Sequence, residues 1–338
     1  MKLELRNTKS DPGLSSPTQL TGARGCGYSL GNVLPFLARR VAAVGVVLFA
    51  VSILAFGILR LIPGDPAALI AGVDAQPAEV ERLRVELGLD RPAHVQYLRY
   101  IGRVVTGDFG RSLRSQQPVV VDLATRFRAS LVLASASLAV ALLIGLPAGI
   151  TAAVWRTSPW DTAITAASVL GASMPPFWLG LILIGFFSVR LGWLPTSGYE
   201  GAEYVVLPAI TLAAFSLATV ARTARSCMLD VLGHDYVRTA RAKGLVERLV
   251  VGKHALKNAV IPLVAVTGLQ FGYLLGASAV TETVFTWPGV GLLMVDAIKH
   301  RDIPVIQGAV LLVAASFALV NLLVDVLYAS LDPRIRLS

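Results

Sequence analysis

The sequence is short of charge. Asp, Glu, Lys and Arg make up 15% of its 338 residues, where an ordinary globular chain carries roughly 25%. Apolar residues fill 55% of it and gather in long runs, a composition that excludes a soluble globular domain. Cysteine is scarce: Cys26 stands in the N-terminal tail and Cys227 near the inner end of an apolar run. Two isolated cysteines make neither a disulfide framework nor a metal motif. His94, His234, His254 and His300 are scattered, so no metal site is visible. No Gly-x-x-x-x-Gly-Lys-Ser/Thr loop occurs, so the chain carries no ATPase of its own. A membrane-embedded enzyme would need clustered catalytic residues facing a cavity, and none cluster.

Ionisable residues are also missing from the interior of the apolar runs; Arg60, Arg190 and Asp325 stand at their ends. Charged groups within spans are costly and mark proton relays or ion paths. Their absence argues against a proton-coupled carrier and places the energy source in a partner. Sodium coupling through backbone carbonyls and hydroxyls remains compatible. A self-contained secondary carrier, the rival reading, predicts inverted repeats. Proline-interrupted helices are present, but no repeat is.

What is there is a set of runs long enough to span a bilayer, about 20 residues each for a core of roughly 30 Å. They fall at Val41–Leu61, Ala129–Trp155, Ile164–Val189, Tyr204–Val220, Val260–Thr281 and Ile303–Leu327. The expected fold class is all-α integral membrane with six transmembrane helices. Residues 1–35, rich in Ser, Gly and Pro, read as a disordered cytosolic tail. Residues 36–338 then form the transmembrane domain.

The net charge of +9 is segregated between the runs, as charge that orients a membrane protein is, rather than charge that binds nucleic acid. Arg39, Arg40, Arg156 and the basic loop of about 222–259 lie inside on this rule. That loop carries Arg222, Arg225, Arg238, Arg241, Lys243, Arg248, Lys253 and Lys257. The loop of about 63–128, in which acids nearly balance arginines, lies outside. Both termini are therefore expected in the cytosol. In the outer loop Pro77 can open a helix, Val80, Leu83 and Leu87 recur along one face, and Gly88 suits its end. A short amphipathic helix on the outer surface is expected there.

Pro175-Pro176 interrupts the third run and predicts a kink or break. Gln270, Asn321, Ser135 and Ser137 are candidates either to face a pathway or to bond between packed helices. In the fifth run Gly268, Gly272 and Gly276 recur every fourth residue. Small residues at that spacing let two helices approach closely, within the subunit or with a second one.

The most informative stretch is Asp235-Tyr-Val-Arg-Thr-Ala-Arg-Ala-Lys-Gly244. Asp235 can cap a helix start and Gly244 can end it in a left-handed turn. A second helical stretch, Val246 to Asn258, leads into the fifth span. This segment resembles the EAA loop of ABC importer permeases, with Gly244 as the loop's glycine and His254-Ala255-Leu256 after a nine-residue spacer. Arg238-Thr239-Ala240 stands where the wider family has Glu-Ala-Ala, in the form typical of the dipeptide and oligopeptide branch. Further stretches are similar to the first-permease members of that branch. They are Pro63-Gly64-Asp65-Pro66, Leu87-Gly88-Leu89-Asp90-Arg91-Pro92, Gln96-Tyr97, Gly107-Asp108-Phe109-Gly110 with Ser112, and Pro118-Val119. Pro175 through Gly180, Glu282-Thr283-Val284-Phe285, Trp287-Pro288-Gly289-Val290-Gly291 and Asp332-Pro333-Arg334 complete the set.

The resemblance implies a type I ABC importer permease fold in a bacterial inner membrane. It implies a non-catalytic subunit that binds no cofactor, ATP being held by partners. Those partners would be a second homologous permease, two ATP-binding subunits or domains and an extracytoplasmic binding protein, with lipid around the spans. It further implies that the EAA segment is a coupling helix seated in a groove of an ATPase. Tyr236, Arg238, Thr239, Ala240, Lys243 and Leu245 would then dock, while Gly244 plays a backbone role. Dipeptides or oligopeptides are the substrates expected, with glutathione or nickel as alternatives.

Overall fold

The computed structural model describes residues 30–61, 67–68, 75–86 and 88–331. The tail before residue 30 with Cys26, the stretch Pro63-Gly64-Asp65-Pro66, Leu87 and Asp332-Pro333-Arg334 lie outside the described residues. In chain order the helices are α1 (Leu30–Leu61), α2 (Pro77–Glu86), α3 (Ala93–Val105) and α4 (Val119–Val154). Then come α5 (Pro159–Ser173) and α6 (Pro176–Leu183), the latter continued by a π-helical stretch, Ile184–Arg190. Next are α7 (Glu203–Leu232), α8 (Asp235–Ala242) and α9 (Glu247–Ala277), which contains a π-helical stretch, Val250–Ala255. The chain continues through α10 (Ala279–Val284), α11 (Val290–Lys299) and α12 (Ile303–Leu331). The all-helical membrane class is as expected. Among the described residues five helices, α1, α4, α7, α9 and α12, are long and apolar enough to cross a membrane. The count is six when α5 and α6 are taken as one span bent by 104°.

Proline chemistry explains the bend. Met174 is extended (φ −78°, ψ 126°), as the residue before a proline prefers. Pro175 stands at the N-cap of α6 and Pro176 in its first turn, where the missing N–H would have no partner anyway. The double proline therefore stops one helix and starts another at a steep angle. It does not merely kink a continuous one.

The fourth span differs from expectation in length. It runs beyond Val220 to Leu232, so Arg222 and Arg225 are helical rather than in a loop. The apolar run ends at Val220, but Ala221, Ala224, Met228 and Leu229 keep helix propensity high. At about 1.5 Å per residue, the 36 residues of α4 reach about 54 Å, so this helix tilts or projects beyond the bilayer.

Glycines bring the long helices together. A Cβ on Gly145 of α4 would lie 2.9 Å from the Leu217 carbonyl oxygen of α7, and one on Gly149 would lie 2.7 Å from the Ala224 Cβ. The predicted glycine stripe packs inside the subunit, against α12. Gly268 faces Val324, Gly272 faces Phe317 and Val320, and Gly276 faces Val313. Helix α1 stands against α12, with Arg40 paired to Asp325 at 3.0 Å. Part of its surface away from α12 is apolar and exposed, as at Val46 and Leu54.

At the end of the bundle away from the basic loop, α2 closes as expected. Gly88 has φ +67°, and the Gly88 and Leu89 N–H groups return to the carbonyls of Val85 and Arg84. The strongly amphipathic helix of this region is α3 rather than α2. Its Tyr97 hydroxyl shares a 2.8 Å hydrogen bond with the Ser52 hydroxyl of α1. Tyr100 stacks on Phe56 with centroids 5.8 Å apart. The Gly107–Gly110 motif is a tight turn in which both glycines have positive φ and Asp108 accepts from the Gly110 N–H. Ser112 then donates to the buried Asp302 at the start of α12, at 2.6 Å.

Candidate functional site

The predicted coupling segment folds as a short helix braced on three sides. In α8, Val237 and Ala240 are buried, while Tyr236, Arg238, Thr239 and every residue from Arg241 to Leu249 are exposed. The buried pair packs with Ala153 of α4, Met228 and Val231 of α7, and Val250, Ala255 and Ala259 of α9. Full burial of a side chain such as Val237 contributes about 1.5–3 kcal/mol. The π-helical stretch Val250–Ala255 serves this contact. Its wider turn, bonding residues five apart, brings Val250 and Ala255 to the same buried side.

Backbone chemistry sets the ends of α8. His234, not Asp235, occupies the N-cap position (φ −73°, ψ 149°), and its side chain makes no cap bond to the helix. Asp235 falls in the first turn, where its negative charge suits the helix dipole, and it pairs loosely with Arg238 at 3.7 Å. The expected side-chain cap is therefore corrected to a favourable charge. At the other end Gly244 has φ +77°. Its N–H bonds to the Arg241 carbonyl at 2.9 Å, and the Leu245 N–H reaches the Ala240 carbonyl at 3.4 Å. These two bonds form a Schellman stop, which requires a left-handed residue at the position of Gly244.

Two polar contacts that the motif did not reveal hold α8 to the start of α9. The Arg241 guanidinium donates to both Glu247 carboxylate oxygens, at 2.7 and 3.2 Å. Hydrogen bonding to Glu247 raises the Arg241 pKa above its ordinary value, so the guanidinium stays charged. The Asn258 amide donates to the Tyr236 hydroxyl at 2.8 Å. Of the predicted docking residues, Tyr236, Arg238, Thr239, Lys243 and Leu245 thus share an accessible surface. Ala240 does not: at 6% exposure it faces the bundle. The expected second helical stretch leads into the fifth span as the first part of α9, starting at Glu247 with Val246 at the N-cap.

Sequence reasoning missed a second constellation, at the far end of the bundle. Glu282 of α10 is fully buried. It accepts from the Ser130 hydroxyl at 2.7 Å and from the Leu292 N–H at 2.9 Å. Ser130 in turn accepts from the Val290 N–H at 2.9 Å. The carboxylate and hydroxyl together accept from two of the first N–H groups of α11, those of Val290 and Leu292. The Trp287 indole N–H donates to the Ala129 carbonyl at 3.0 Å. Gly289 leaves room for the Glu282 carboxylate, and Gly291 lets α11 lie against Ala279. These glycines, with Glu282 and Trp287, are the family-like residues of the Glu282–Gly291 stretch. Their arrangement is that of a folded-back turn held in place. Among the described residues no group of three or more His, Cys, Asp and Glu could hold a metal ion.

The geometry is that of a helical membrane body with an anchored, polar-faced helix at its basic end. Comparison with known proteins decides the family. The profile described as "Binding-protein-dependent transport system inner membrane component" matches residues 145–337. The profile for the N-terminal part of such membrane components matches residues 33–134. The chain belongs to this family of ABC importer permeases. It is 48% identical over 304 residues to the glutathione transport system permease protein of Escherichia coli (strain K12), covering 90% of this chain and 99% of that one. Identity and coverage are the same with the corresponding protein of Salmonella paratyphi A. The solved MetNI methionine ABC transporter, in inward-facing crystal forms, is similar in fold. Its TM-scores are 0.53 and 0.56 at 20% identity, over 62% of this chain and 96% of that one.

Proposed function

We propose that this permease pairs with a second, homologous permease to form the pathway of an ATP-driven importer for glutathione or a similar short peptide. The exposed face of α8 docks on a cytosolic ATPase. The observation that carries the reading is α8 itself: an apolar side locked into the ends of three long helices, an opposite side left polar and open, and a stop that fixes its length. A helix so braced passes displacement into the bundle, where a flexible loop would absorb it. Tyr236, Arg238, Thr239, Lys243 and Leu245 make the contact, Gly244 shapes the turn, and Ala240 anchors the helix from behind. ATP is bound and hydrolysed by the partner subunits, and an extracytoplasmic protein delivers the substrate.

The substrate class rests on relatedness: nearly half of the residues are identical to permeases named for glutathione, across their whole length. Glutathione is itself a short peptide, which joins the two substrate readings. The basic end, with Arg39, Arg40, Arg156 and the α8 region, faces the cytosol by the positive-inside rule, and both termini lie there.

Affinity purification in mild detergent, followed by reconstitution into proteoliposomes, tests this reading. The expected result is co-purification of a second permease and ATPase subunits, with ATP-dependent uptake of radiolabelled glutathione when the binding protein is supplied. Recovery of the chain alone, with uptake in the absence of ATP, would refute it in favour of a secondary carrier. Uptake of a dipeptide or of nickel but not glutathione would overturn the substrate class while leaving the importer intact.

A further inference from the structure

One partly buried charge pair belongs neither to the docking face nor to the glycine contacts. Arg225, on α7, donates from Nε to one oxygen of Asp161 at 2.6 Å and from Nη2 to the other at 2.8 Å. Asp161 lies in the first turn of α5. Its carboxylate also accepts from the Thr157 N–H at 3.1 Å, in the tight turn that joins α4 to α5. The Asp161 side chain is 9% exposed and that of Arg225 32%. A two-pronged guanidinium–carboxylate bond is directional as well as strong, and it fixes orientation in a way a single contact does not.

Its position gives this rigidity a use. Met228, on the turn of α7 next to Arg225, touches the buried face of α8. Asp161 opens α5, which runs to the Pro175-Pro176 break. Beyond the break, Gly180 of α6 lies against Val284 and Phe285, beside the Trp287 turn at the far end. The pair is thus the polar joint in a continuous series of contacts from α8 to the bent span.

We propose that Asp161 and Arg225 form a latch that transmits motion of α8 from α7 into the bent α5–α6 span. They are positioning residues, required for coupling ATP hydrolysis to transport rather than for folding or ATPase binding. This rests on the importer reading above. When α8 is displaced, α7 moves with it, and the two-pronged bond obliges the start of α5 to follow. Without the bond, the remaining packing of α5 and α6 on α7 permits sliding, and less of the motion reaches the bent span.

The test uses the assembled complex in proteoliposomes with binding protein. It measures ATP hydrolysis and uptake of glutathione and of dialanine in wild type, Arg225→Ala and Arg225→Lys. The expected result for Arg225→Ala is retained ATPase subunits and retained hydrolysis, with uptake per ATP lowered about tenfold, within the range of typical coupling energies. Lysine keeps the charge but not the fork, and is expected to fall between. Should Arg225→Ala not yield assembled complex, Asp161→Asn, which keeps an acceptor for Thr157, decides in the same way. Unchanged uptake per ATP overturns the latch. So does a fall of hydrolysis and uptake in equal proportion, which marks a structural brace. Wild type that neither hydrolyses ATP nor takes up either probe counts instead against the importer reading, and removes the latch with it.

Discussion

Replacing Gly244 probes the stop of α8 without touching any side chain. At φ +77° the residue is left-handed, and a Cβ there would meet nothing within 4 Å. Any cost of substitution is therefore one of backbone conformation rather than collision. For an L-residue the left-handed state costs roughly 1–2 kcal/mol, so Gly244→Ala is expected to weaken ATPase binding roughly five- to thirtyfold if the stop must form for docking. Asparagine tolerates this region better, and Gly244→Asn should cost less than alanine. Proline is locked near −65° and also deletes the N–H that reaches Arg241, a penalty of about 3 kcal/mol or more. Gly244→Pro should therefore lower affinity by more than about a hundredfold. The assay is titration of purified ATPase subunit onto permease pairs in nanodiscs, at matched amounts of folded protein. The expected order of affinity is Gly, Asn, Ala, Pro. Equal losses for all three variants would refute the reasoning, because they would point to steric exclusion at the interface. No loss for proline would refute it more completely.

Other outcomes follow from the packing. Gly272→Leu should lower thermal stability in detergent by the equivalent of about 1–3 kcal/mol through overpacking against Phe317. Gly276→Ala, whose Cβ would lie 3.9 Å from Val313, should be tolerated. Glu282→Ala leaves the Leu292 N–H without its acceptor, at roughly 1–3 kcal/mol per unsatisfied group. Fluorescence-detected size exclusion should show less monodisperse protein for Glu282→Ala and a smaller drop for Glu282→Gln. Arg241→Ala breaks an exposed ion pair and should change the melting temperature little, by under about 1 kcal/mol in stability. A large loss would mean that the α8–α9 connection depends on this pair rather than on the buried apolar face.

Much of this architecture was legible in the sequence because bilayer thickness and apolar length constrain each other. The runs that became α4, α9 and α12 stand where hydropathy places them. The fourth was read short because hydropathy registers Arg222 and Arg225 as an exit from the membrane, whereas helix propensity does not stop at a charge. The break at Pro175-Pro176 was visible from proline chemistry, but its angle depends on α6 packing against α10, which no local pattern encodes. The glycine spacing at 268, 272 and 276 announced a close helix contact, and only the tertiary fold names α12 as its partner. Gly145 and Gly149 carry the same four-residue signal in the second span and could have been found by it. Glu282 was visible only as a family-like residue, and the part it plays was not legible for a different reason. It stands one residue beyond an apolar run, and its partners Ser130 and Leu292 are remote in sequence or beyond a turn. The joining of Asp161 to Arg225 was equally invisible, since nothing in the local sequence of either residue points to the other. At α8 the glycine and the spacing were informative. Which side of the helix faces out was not, and the inward turn of Ala240 required the structure.

On the proposed function, the exposed face of α8 meets an ATPase. The most direct measurement is site-specific photocrosslinking in the native membrane, with a benzophenone amino acid in place of Arg238 or Lys243, and in place of Val105 on α3 as a control. Crosslinks are expected from positions 238 and 243 to an ATP-binding subunit, and none to that subunit from position 105. Failure of 238 and 243 to reach an ATPase, or capture of that subunit from position 105, would contradict both the docking face and the orientation of the chain.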